Sequence, residues 1–130
     1  MHSLTSNVSP ASPFYAEVEK LAGTGNYMAF GEGKMVSAMR LGDASYFVAC
    51  GLKLPEDWNR EHAELLRDPA ALKKLLLEKH LTNWTPPHKD IVQHSDGDFF
   101  IWSLYGVPAD SVPWNSVPGV TLVGDAAHLT

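Results

Sequence analysis

Hydrophobic and polar positions follow two different periods along this chain, and the changes of period mark its elements. Phe14, Val18 and Leu21 recur at helical spacing in FYAEVEKLA, which predicts a short helix over 14–22. Gly23 and Gly25 then punctuate the chain. Three short runs rich in aromatic and β-branched residues follow: NYMAFG (26–31), KMVSAMR (34–40) and ASYFVACGL (44–52). Gly-containing turns separate them, so they read as consecutive antiparallel strands. LPEDWNREHAELL (54–66) opens with Pro55 and two acids, a helix-start composition. The best helical pattern is 69–83, with Asp68 as its cap and Pro69 in its first turn. Leu72, Leu75 and Leu76 form one apolar stripe there, and Leu77, Leu81 and Trp84 another. Pro87 opens a short helix through Val92, HSDGD (94–98) is a loop, and FFIWSLY (99–105) is a fourth strand. A Pro-rich crossing, 107–119, leads to VTLVGD (120–125), apolar on both sides like a strand of a buried parallel sheet.

The pattern predicts an α+β fold. An antiparallel sheet of about four strands carries a covering helix, and one strand of an incomplete α/β domain ends the chain. Residues 1–13 read as a flexible lead-in, 14–106 as the sheet with its helices, and 107–130 as the return segment. The strand at 99–105 alternates Phe99, Ile101 and Ser103 with Phe100, Trp102 and Leu104, so both of its faces are largely apolar. The helix at 69–83 covers one face of the sheet, and little else in the chain is left for the other. An uncovered apolar face marks a ligand cavity, a partner surface or a missing piece.

Composition narrows the function. A net charge of −5 and scattered basic residues argue against a nucleic-acid surface. No apolar run reaches the ~18 residues of a membrane span. The polar start lacks the basic and apolar regions of a signal peptide. Cys50 is the only cysteine, so no internal disulfide forms, and its apolar setting reads as a buried inert thiol. A reducing, cytoplasmic location is the expectation.

Most motif candidates fail. Gly33-Lys34 lacks the P-loop partners, since Met28 and Met35 occupy their positions. GTGNYM and GEGKMV both miss the third glycine of a dinucleotide loop. His88, His94, Asp96 and Asp98 are metal-ligand types, but their spacing fits neither a zinc nor a calcium pattern. No nucleophile elbow surrounds a serine, and no residue is assigned as catalytic. The terminal stretch Gly124-Asp125-Ala126-Ala127 remains. A strand ending in Gly-Asp and followed by small helix formers places free N–H groups and a carboxylate where ligands of open α/β sheets bind.

That stretch carries a family resemblance. SVPGVTLVGDAAHLT resembles the second flavin-binding motif of the single-component FAD-dependent monooxygenases, the aromatic hydroxylases of the para-hydroxybenzoate hydroxylase type. GNYMAFGEGKMVSAMRLGDASYFVACGLKLPEDW is similar to the middle substrate domain of the branch containing tetracycline-inactivating monooxygenases and their fungal relatives. WSLYGVPADSVPWNSVPGVTLVGDAAHL resembles that branch's return into the flavin domain, so the likeness covers residues 14–130.

The resemblance implies FAD as cofactor, NAD(P)H as co-substrate and a small apolar or aromatic substrate. It implies that Asp125 bonds the ribityl chain, that Ala126 and Ala127 let the helix start approach the flavin, and that the open sheet face roofs ring and substrate. Arg40, Phe99, Ile101 and Ser103 are the substrate-side candidates. The family's N-terminal G-x-G-x-x-G, its upstream Asp-Gly motif and its final Pro-rich loop have no counterpart here. The chain therefore corresponds to the middle of such an enzyme, as a fragment or truncated gene product. The competing expectations are a non-catalytic module for a ligand, or for a partner chain supplying the missing flavin-binding part; a cofactor-free isomerase or cyclase; and an inert remnant.

Overall fold

The computed structural model describes residues 1–106 and 117–128. It is α+β, built on one five-stranded antiparallel sheet of order β2-β3-β4-β1-β5. The strands are β1 (His2–Val8), β2 (Asn26–Gly31), β3 (Lys34–Arg40), β4 (Tyr46–Leu52) and β5 (Asp96–Ser103). The β2 and β3 bounds are those the periodicity predicts. At the β2–β3 turn Glu32 and Gly33 both take positive φ, 52° and 70°. Such a two-residue turn twists in the sense the flanking strands need, and Gly33 adopts it without steric cost.

The lead-in expectation is overturned. Residues 2–8 form β1, which lies between β4 and β5 and pairs antiparallel with both. Leu4 and Val8 are fully buried. Ser3, Thr5 and Asn7 take the alternate face. The polar composition of HSLTSNV hid a strand whose alternation is carried by small residues, so the sheet has five strands where four were expected.

The helices are α1 (Tyr15–Ala22), α2 (Trp58–Glu61), α3 (Ala63–Leu66), α4 (Pro69–Leu75), α5 (Pro86–Gln93) and α6 (Asp125–His128). The helix expected over 54–66 breaks at His62, whose ring stacks on Trp58 at 4.3 Å and whose Nδ1 lies 2.9 Å from the Trp58 carbonyl. Asp68 caps α4 as expected, accepting from the Ala71 N–H at 3.0 Å. The continuation of α4 is a π-helical turn, Leu76–His80. Its Leu81 N–H donates to the Leu76 carbonyl at 2.9 Å, five residues back. The extra residue rotates Leu81 onto the face of Leu72 and Leu76, and all three are fully buried. One stripe thus replaces the two that a uniform 3.6-residue period gives.

The core lies between the helices and one face of the sheet. Val18 from α1, Trp58 from α2, Leu72 from α4, Leu76 from the π turn, and Ile91 and Val92 from α5 pack with Leu4, Val36, Val48, Cys50 and Phe99. The other face has no helix of this cluster on it.

The expected strand at 120–125 does not form. Val117 and Val120 make an isolated bridge, and residues 121–123 have no regular structure. Val120 and Val123 are 65% and 74% exposed. Four residues of mixed β propensity find no neighbouring strand among the described residues, so nothing satisfies their ladder bonds. Residues 107–116 of the expected crossing lie outside the described residues.

Candidate functional site

Strand register builds the open face row by row. Phe30 pairs with Met35, Met35 with Gly51, Gly51 with Ser3 and Ser3 with Trp102. The next row on the same face is Met28, Ser37, Ala49, Thr5 and Phe100. A third is Asn26, Met39, Phe47, Asn7 and Asp96. Directly paired residues share a face, so these rows are the surface opposite the core.

The rows form a trough. Its floor is Ser3, Thr5, Ser37, Ala49 and Gly51 on the three inner strands. The β2 side is walled by Met28 and Phe30, and the β5 side by Phe100 and Trp102. Phe30 is 72% exposed, Phe100 64% and Trp102 59%. Ser37, Ala49 and Thr5 are nevertheless buried, because the tall side chains around them exclude water. A Cβ on Gly51 would meet Met35 Cβ at 3.3 Å and Met1 Cε at 3.8 Å, so the bare glycine lets two methionines lie across the floor. With Met28 and Met39, all four methionines of the chain stand on this face. Thioether side chains adapt to irregular ligands and contact ring edges favourably.

The trough between the walls is uncharged, and Asp96 closes the row beyond it. The first two rows contain no acidic or basic side chain. Trp102 Nε1 donates to Thr5 Oγ1 at 3.2 Å, and that hydroxyl is 3.4 Å from the Phe100 carbonyl. The indole is thereby held against the floor. With strands ~4.8 Å apart and ~3.3 Å of rise per residue, the floor measures about 10 Å by 7 Å. A floor of this size and chemistry offers dispersion and apolar burial rather than ion pairing.

The substrate-side candidates fall elsewhere. Phe99 is buried and Ile101 packs against the helix-covered core, while Phe100 and Trp102 take the open face. Both faces of this strand are apolar, so alternation alone could not fix its register; pairing with β1 does. Ser103 pairs with His2, on the covered side. Arg40 Nη1 donates to Glu19 Oε1 at 2.9 Å and its guanidinium lies 5.9 Å from the Tyr46 ring centroid, so it ties β3 to α1. The trough residues that the periodicity missed are Ser3 and Thr5, inside the supposed lead-in, and Phe100 and Trp102, on the unassigned face.

The cofactor-side candidates stay apart from the trough in character. Gly124 has φ of 57°, and Asp125, Ala126 and Ala127 begin the four-residue α6. Gly124, Asp125 and Ala126 are exposed, and the Ala127 N–H donates to the Gly124 carbonyl at 2.9 Å. A strand–turn–helix cradle for a dinucleotide needs the preceding strand in a sheet, and residues 120–123 join no sheet among the described residues. As described, residues 124–127 do not form that cradle.

Several other chemistry-bearing groups are already engaged. Burial pushes the Cys50 thiol up to about 12, which removes it as a nucleophile. His88 is 2.7 Å from the Tyr27 hydroxyl through Nε2 and 2.8 Å from Thr85 Oγ1 through Nδ1. His94 stacks on Phe14 at 4.4 Å, and Asp96 accepts from the Ser9 N–H at 2.6 Å. Among the described residues no group of three metal-ligating side chains comes together, and no helix is long and apolar enough to cross a membrane. No protein-family model matches the chain, and comparison with curated proteins finds no match.

Proposed function

We propose that this chain is the substrate-side unit of an FAD-dependent aromatic hydroxylase, and that its trough covers the flavin ring and a flat aromatic or polyketide-like substrate. The observation that carries this reading is an uncharged trough with a small-residue floor and methionine and aromatic walls, on a sheet face with no helix of the core cluster over it. In that reaction class, NAD(P)H supplies the electrons, one oxygen atom of O₂ enters the substrate and the other leaves as water. The bound flavin supplies the oxygen chemistry. This chain's part is to bind the ring faces, orient them and exclude water. The dinucleotide is held by another polypeptide part, because residues 124–127 lack the cradle it needs.

A second reading is favoured by the exposure of residues 120–126: a binding module that takes flat aromatic ligands without catalysis. One experiment addresses both. The four methionine methyls, labelled with ¹³C, report from the trough itself. Riboflavin shifts these signals, Ala49→Leu abolishes the shifts, and FAD binds no more tightly than riboflavin. Unmoved methyls at the solubility limit of riboflavin would sink both readings. FAD binding far more tightly than riboflavin would mean that the chain builds its own dinucleotide site. Turnover of NAD(P)H on adding a flavoprotein partner and substrate separates the hydroxylase from the module.

A further inference from the structure

A second cavity lies at the end of the sheet, where β1 begins and β5 finishes. It has a volume of about 230 Å³ and is lined by His2, Leu54, Glu56, Ser103, Leu104 and Tyr105, with Met1 at its rim. His2 is 3% exposed. Among the described residues neither of its ring nitrogens has a hydrogen-bond partner. Buried polar groups in folded proteins are nearly always partnered, and each one left bare costs about 1–3 kcal/mol. An imidazole bare at both nitrogens, beside a cavity many times the ~10–15 Å³ that one water needs, marks a place built around an occupant.

We propose that this cavity binds a small neutral molecule carrying two hydroxyl groups on an apolar frame. The polar wall selects donors. The Glu56 carboxylate accepts from the Tyr105 hydroxyl at 3.4 Å through Oε1, and its Oε2 has no partner among the described residues. The imidazole offers two ring nitrogens and Ser103 a hydroxyl. Among the described residues no lysine or arginine lines the cavity; its charges are the Glu56 carboxylate and the Met1 ammonium, which oppose each other and favour a neutral molecule over an ion. Leu54, Leu104 and the Tyr105 ring supply the apolar part. Both nitrogens are sealed as the ring stands, so binding requires the imidazole to turn about its soft χ2 torsion. One ligand hydroxyl then bonds His2 and the other bonds Glu56. The site does not depend on the flavin reading, since His2 and Ser103 stand on the side of the sheet opposite the trough.

Catechol is the probe. In protein carrying ¹³C-labelled histidine, the His2 ring signal is assigned by its loss in His2→Gln. Catechol is expected to shift that signal saturably, and phenol, with one hydroxyl fewer, to bind more weakly. Glu56→Ala and Ser103→Ala are each expected to raise the catechol Kd, the former by about tenfold as for a bond to a charged group. Ala49→Leu, in the trough, leaves catechol binding intact. An unmoved His2 signal at millimolar catechol would leave only water in the cavity and overturn the proposal. So would a shift that survives both Glu56→Ala and Ser103→Ala, or one that Ala49→Leu removes.

Discussion

Ala44 occupies a backbone conformation that its side chain resists. Its φ is 68°, in the left-handed region, where a Cβ costs about 1–2 kcal/mol. The β3–β4 connection imposes it: the Leu41 N–H donates to the Ser45 carbonyl at 2.8 Å and the Ala44 N–H to the Leu41 carbonyl at 3.0 Å. Ala44→Gly relieves the strain, so urea unfolding should show a gain of about 1 kcal/mol with an unchanged m-value. His80 offers a pH test. Burial, with Lys34 and Lys79 nearby, holds its pKa below the ordinary 6.5. The unfolded chain therefore binds this proton more readily than the folded one. The stability involved is present above about pH 6.5 and drains away as pH falls through the lowered value. His80→Gln should flatten this part of the fall in urea midpoint between pH 7 and pH 5; an identical slope in the variant would refute the assignment.

Elements differ in how plainly the sequence announces them. The hairpin β2–β3 and the capped helix α4 were legible because apolar period, turn glycine and cap residue agree. β1 was not, since Ser3, Thr5, Ser6 and Asn7 carry no hydrophobic signal and only Leu4 and Val8 mark the covered face. Its place is a tertiary fact, set by strands that begin some forty and ninety residues later. The same blindness put Phe99 and Ile101 at the candidate site in place of Phe100 and Trp102. Leu4→Ala tests the placement. A fully buried leucine in the middle of a sheet loses about 2–5 kcal/mol on truncation, whereas one in a flexible lead-in loses almost nothing. Chemical denaturation distinguishes the two at once.

At the scale of the molecule, the covered face holds the core and the open face holds the chemistry proposed for it. Residues 120–126 are exposed with local backbone bonds, so limited chymotrypsin digestion should cut after Leu122 well before it reaches Tyr46 or Leu72 in the core. Mass spectrometry of the first products reads this directly. A chain protected at Leu122 would instead place that segment in a packed sheet. The β1–β5 pairing has a further consequence. The Met1 amine donates to the Leu104 carbonyl at 3.0 Å, and the Leu104 N–H returns to the Met1 carbonyl at 2.7 Å. The backbone thus enters and leaves the sheet through one doorway, a single strand spacing wide. A unit with that property is a cassette. Spliced into a surface loop of a host protein, it asks the host only for two backbone ends about 5 Å apart, and it brings its own core and its own open face with it.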